Sequence, residues 1–70
     1  MSATYDDGYA AGIDKARRDL ADHQRIALGW ASARIQTIDG RSPGWRSEYD
    51  RGFTAGYRSV LIGYVHSQTQ

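Results

Sequence analysis

Apolar and small residues recur at Tyr9, Ile13, Ala16, Leu20, His23, Ala27 and Trp30, in alternating steps of four and three. That spacing draws a single stripe along a helix that packs against other helices. Thr4 stands where a hydroxyl caps a first turn, and Asp6 and Asp7 follow it where the helix dipole favours negative charge. On the opposite face Asp14, Arg18, Asp22 and Arg25 alternate in sign, the pattern of a solvated surface. A second stripe, Trp45, Tyr49, Phe53, Tyr57, Leu61 and Val65, is spaced by four throughout and carries a helix as far as His66, with Ser67 to Gln70 expected to fray. No stretch alternates with period two for long enough to argue a strand.

Between the stripes lies one strong breaker, Asp39-Gly40-Arg41-Ser42-Pro43-Gly44. Gly40 suits a left-handed residue after a helix end, and Ser42-Pro43 suits a cap followed by a first helical residue. The pattern therefore predicts an all-α chain of one domain over residues 1–70, a helical hairpin with a long helix over about 5–39 and a second over about 43–66. At 1.5 Å per residue the first would be about 50 Å long and the second about 33 Å. Two solutions are open. The first helix breaks around residues 22–29 to give three helices, or its first half overhangs the hairpin and a second chain covers it. We expect the overhang, because Ile26, Trp30 and Ala33 share one side of this segment while Leu28, Ala31, Ile35 and Ile38 share another. A helix apolar on two sides needs two neighbours.

Four glycines fall inside these helical patterns, and each costs about 1 kcal/mol relative to alanine. They belong to an internal duplication: Tyr5-Asp6-Asp7-Gly8-Tyr9-Ala10-Ala11-Gly12-Ile13 recurs 44 residues later as Tyr49-Asp50-Arg51-Gly52-Phe53-Thr54-Ala55-Gly56-Tyr57. At spacing four the missing side chains form a shallow groove on one helix face, and the stripes Tyr5, Tyr9, Ile13 and Tyr49, Phe53, Tyr57 run beside it. The expected use is a self-complementary helix-helix interface, within a chain or between two chains. Gly29 with Ala33, and Gly63 with Val60 and Tyr64, read as weaker extensions of the scheme.

Composition bears on how many chains take part. Leu, Ile, Val and Phe supply 11 of 70 residues, below the roughly 20% at which chains struggle to bury enough apolar surface. A net charge of +1, five Tyr and two Trp nevertheless fit a folded domain. With no Cys for a disulfide or a zinc site, oligomerisation is the remaining source of stability, and a dimer is the expected state. The acidic start, Met1 to Asp7, lacks the form of a secretory signal, and Ile26 to Ile38 is too short and too polar for a span of about 20 residues. A cytoplasmic protein without membrane contact is the expectation.

Gly8-Tyr9-Ala10-Ala11-Gly12 resembles the Gly-x-x-x-Gly helical repeats of the flagellar export ATPase regulator family, in which aromatic residues flank the glycines of a dimeric helix. Tyr9-x-Ala11-Gly12-Ile13 resembles the opening of the ribosome modulation factors, small basic proteins that silence ribosomes. The first resemblance implies a dimer of glycine-lined helices and the second a ribosome-associated protein. The short, Arg-rich and Ala/Gly-rich profile also resembles the accessory proteins of phages that infect GC-rich actinobacteria.

Chemistry offers less. His23 stands four residues after Asp19, but His66 is the only other imidazole, so no metal ligand set and no cofactor are expected. No Gly-x-Ser-x-Gly, Cys nucleophile or phosphate loop is present, and catalysis is not expected. Acidic residues interleave with the arginines, so nucleic acid is the second choice of partner, with Arg41 and Arg46 beside Trp45 as its contacts. The leading expectation is a non-enzymatic, self-associating module that binds and modulates an unidentified protein, such as a phage-encoded inhibitor of a host protein. Its interface with itself would use Tyr5, Gly8, Tyr9, Gly12, Ile13, Tyr49, Gly52, Phe53, Gly56 and Tyr57, and its partner surface Trp30, Arg34, Arg41, Trp45 and Arg46. A purely structural oligomer is the third reading.

Overall fold

A computed structural model describes residues 4–40 and 47–68. They form three helices, α1 (Tyr5–Asp22), α2 (Ala27–Asp39) and α3 (Glu48–Gln68), and no strand. Helix occupies 88% of these residues. Helix α1 starts where the sequence places it. Thr4 adopts an extended backbone, its hydroxyl accepts from the Asp7 amide at 3.2 Å, and the Asp7 carboxylate accepts from the Thr4 amide at 3.2 Å. This reciprocal cap satisfies two of the donors that a helix start leaves open.

The long first helix does not form. It ends at Asp22, and a four-residue turn of His23, Gln24, Arg25 and Ile26 reverses the chain into α2. The break contains neither glycine nor proline, so tertiary packing imposes it. The His23 amide closes α1 on the Asp19 and Leu20 carbonyls, and the His23 ring donates from Nδ1 to the Asp19 carbonyl at 2.7 Å. That ring also stacks on Trp30, with centroids 4.4 Å apart. The gain is that α2 folds back onto α3. Ala16, Ala31, Tyr57 and Leu61 form the buried cluster, and Leu20, Trp30, Ile35, Ile38, Phe53, Val60, Tyr64 and Val65 pack around it. A straight helix would have left the Ala31, Ile35 and Ile38 side of this segment without a neighbour from its own chain.

Two smaller expectations also change. Gly40 ends α2 with φ −79° and ψ −8°, a right-handed conformation, since its amide reaches back to Gln36 without a left-handed residue. Helix α3 begins at Glu48, where the Ser47 hydroxyl accepts from the Asp50 amide at 3.2 Å. The cap assigned to Ser42 and Pro43, and the Trp45 end of the stripe, lie outside the described residues. At the far end α3 runs through Ser67 to Gln68. The Asp14 to Arg25 face is solvated as expected, and its one ion pair, Arg18 with Asp14 at 3.9 Å, joins two side chains more than 70% exposed. Such a pair contributes little.

Gly29 and Gly63 do not extend the glycine scheme: both are exposed, and a Cβ added at either meets nothing within 4 Å. Gly63→Ala should therefore stabilise the fold by about 0.5–1 kcal/mol through helix propensity alone. Gly29→Ala should gain less, because Gly29 lies in the first turn of α2. Chemical denaturation followed by circular dichroism checks both, and a loss at Gly63 would mean that another surface covers it.

Candidate functional site

The feature that organises the molecule is the contact between α1 and α3. Gly8 lies against Tyr49 and Phe53, and Gly12 against Phe53 and Tyr57, so both helices advance in the same direction and pack parallel. A Cβ built on Gly8 would overlap the Tyr49 carbonyl oxygen and stand 2.9 Å from the Phe53 amide nitrogen. On Gly12 it would overlap the Phe53 carbonyl oxygen and stand 2.8 Å from the Tyr57 nitrogen. The reverse contacts match. A Cβ on Gly52 would overlap the Tyr5 carbonyl oxygen and stand 3.0 Å from the Tyr9 nitrogen, and one on Gly56 would overlap the Tyr9 carbonyl oxygen.

Subtracting the repeat offset of 44 turns the contacts of Gly8 into those of Gly52. The interface is thus pseudo-two-fold, and the duplicated sequence acts as a dimer folded into one chain. At each glycine a Cα hydrogen, where another residue would carry Cβ, points at a carbonyl oxygen of the opposite helix. Such Cα–H···O contacts contribute about 0.5–1 kcal/mol each. Four of them, with the dispersion energy of two backbones in contact, offset the roughly 4 kcal/mol of helix propensity that four glycines forgo. Rings seal the margins: Tyr5 stacks near Tyr9 with centroids 6.2 Å apart, and Phe53 near Tyr57 at 6.0 Å.

The ten residues assigned to self-association are therefore distributed along an intrachain contact. Gly8, Gly12, Gly52, Gly56 and Tyr57 are buried, Tyr9, Ile13, Tyr49 and Phe53 are half-buried, and Tyr5 remains 42% exposed. Of the partner-surface candidates, Trp30 is half-buried against the core and the Arg34 guanidinium sits 5.9 Å from the centre of the Tyr57 ring. Arg41, Trp45 and Arg46 lie outside the described residues.

Polar chemistry collects past the C-terminal glycine of each copy. The Tyr57 hydroxyl donates a short hydrogen bond to the Asp19 carboxylate, which Lys15 also approaches at 3.0 Å. Burial pushes the Asp19 carboxyl up, but the hydrogen bonds from Tyr57 and Lys15 outweigh it and hold the group below its ordinary value. Burial, with the bond to Asp19, pushes the Tyr57 phenol up to about 12. Sequence reasoning missed this pair. The available signal was the mismatch that closes the duplication, where Tyr57 replaces Ile13 and so brings a hydroxyl that needs a partner. On the outer edge Arg58 holds Asp39 with two contacts, 2.6 and 3.1 Å long. Among the described residues no group of three or more His, Cys, Asp or Glu comes together to hold a metal, and no helix is long and apolar enough to cross a membrane.

No protein family, curated protein or solved structure matches the chain.

Substitution at Gly12 or Gly56 should reverse the sign expected at Gly63. The obstacle is backbone and cannot rotate away, so alanine should cost about 1–3 kcal/mol net and leucine more, read from denaturation midpoints. The Tyr57 pair gives a separate test. A phenol whose folded pKa lies above its unfolded value of 10.0 contributes stability that is intact below pH 10 and is lost as the pH rises toward about 12. Stability should fall across that interval by on the order of 2 kcal/mol, and Tyr57→Phe should remove most of the fall while lowering stability at neutral pH. An alkaline profile unchanged by Tyr57→Phe would show that the pair does not carry it.

Proposed function

We propose that the chain is a non-enzymatic helical module that acts by binding and modulating another protein, as a phage-encoded inhibitor of a host protein would, in the cytoplasm. The observation that carries this reading is the apolar surface at the start of α2, where Ile26 is 64% and Leu28 39% exposed. Among the described residues these are the exposed large aliphatic side chains of a domain that has few, and they flank the buried Ala27 and stand apart from the core cluster. Covering either side chain with a partner removes apolar area from water, the main driving force of association.

The polar groups add support. Lys15, Asp19 and Tyr57 satisfy one another, Arg58 is committed to Asp39, and Arg34 lies over Tyr57, which leaves no concentrated basic face among these residues for phosphate contacts. Arg25 beside Ile26 gives the candidate surface a positive edge, so the favoured partner presents an apolar face with acidic residues around it.

The test is affinity capture from a lysate of the native or host cell, with parent protein and with the double variant Ile26→Asp, Leu28→Asp, each with and without nuclease. Retention of a discrete protein by the parent, nuclease-resistant and lost in the variant, is the expected result. Capture abolished by nuclease, or sub-micromolar binding to mixed-sequence duplex at about 150 mM salt, would replace this reading with a nucleic-acid one.

A further inference from the structure

We infer that α1 exchanges between two copies of this chain: the turn at residues 23–26 straightens, residues 5–39 become one helix, and α1 of each copy packs on α3 of the other. This goes beyond the proposed function and does not depend on it. The first ground is the turn itself. The starts of α1 and α3 are each fixed by a side-chain cap, at Thr4 and at Ser47. At the break, Ile26 begins α2 without any side-chain cap, α2 has no acidic residue in its first turn, and α1 has no basic residue in its last. His23 (φ −112°, ψ 30°) and Ile26 (φ −120°, ψ 16°) both keep negative φ, and no residue there is a glycine, a proline or in the left-handed region. Restoring helical angles to these two residues violates no steric rule.

The second ground is what holds α1 in place. It leans on α3 along the glycine contact and touches α2 only sparingly. That contact is pseudo-two-fold and consists of residues from α1 and α3 alone, so α1 of a second copy satisfies it as well as the chain's own α1 does. Two such exchanges close on each other, which gives a two-fold dimer with no open end. The hinges then cross, and Ile26, 64% exposed in the single chain, is the apolar residue available where they meet.

One interaction opposes opening. His23 and Trp30 stack with centroids 4.4 Å apart, whereas residues seven apart in a continuous helix are separated by about 10.5 Å along the axis. The stack exists only in the bent chain and serves as its latch. Lengthening a hinge favours the closed monomer, and helix-forming residues in it favour the exchanged dimer.

The experiment measures mass by light scattering across protein concentration for three chains: the parent, His23→Ala, and a chain with Gly-Gly inserted between Gln24 and Arg25. The parent should pass from monomer to dimer as concentration rises. His23→Ala removes two stacks per dimer formed and should raise the association constant about fivefold or more, while the insertion should hold the chain monomeric. A second measurement does not depend on those variants folding like the parent. A Gly12→Leu copy mixed with a Gly56→Leu copy can rebuild one undamaged interface by exchange, so the mixture should gain helical signal and dimer mass over its components. A parent and a His23→Ala chain that stay monomeric to millimolar concentration, a dimer whose population ignores both hinge changes, or a mixture no more helical than its components would each overturn the exchange.

Discussion

Two helix backbones can touch only where neither carries a side chain, and the rest of this structure depends on that condition being met on both helices over the same turn. Gly8 and Gly12 on α1 and Gly52 and Gly56 on α3 remove the atoms that would otherwise hold the helices 8–10 Å or so apart. In exchange for helix propensity the chain obtains an interface made of main chain, which needs few bulky aliphatic residues. That suits a sequence with only 10 Leu, Ile and Val residues.

The same contact dictates the topology. Parallel helices in one chain require the chain to travel back between them, so something must lie between the end of α1 and the start of α3. Helix α2 makes most of that return and uses it to cover one side of the pair, with Ala31 buried and Ile35 and Ile38 packed against the buried cluster. Parallel packing also brings the positive ends of two helix dipoles to one end of the molecule. Asp6 and Asp7 in the first turn of α1, and Glu48 and Asp50 in that of α3, place negative charge there.

The all-α class, the Thr4 start, the solvated Asp14 to Arg25 face and the close approach at the glycines were legible because each rests on local spacing or on a repeat visible in the chain. The break at residues 23–26 was not, since His23, Gln24, Arg25 and Ile26 contain no local stop, and the turn is favoured by the cover of α3 and by the stack of His23 on Trp30. Nor was the left-handed conformation expected at Gly40 needed, because its amide reaches Gln36 from a right-handed one. Gly29 and Gly63 misled for a related reason. A small residue at helical spacing states that close approach is permitted, and only a matching partner makes it occur. Gly8 has that partner in Gly52 and its neighbours, whereas Gly29 and Gly63 face open space.

The duplication also shows where two copies of one device stop being equivalent. From Tyr5 to Gly12 the copies meet the same surroundings, each other, and four of the five identities fall at Tyr, Gly, Ala and Gly positions along the shared contact. One residue later the surroundings diverge, because a single α2 covers only one side of the pair. Tyr57 lies under it, in the buried cluster with Ala31 and beneath Arg34, while Ile13 stands apart from that cluster. A phenol at the covered position needs an acceptor, and Asp19 on α1 supplies it from the opposite helix. Ile13 makes no such demand. The hydrogen bond that ties the last turn of α1 to the middle of α3 is thus a consequence of the third helix, and it distinguishes this chain from the symmetric pair its sequence repeats.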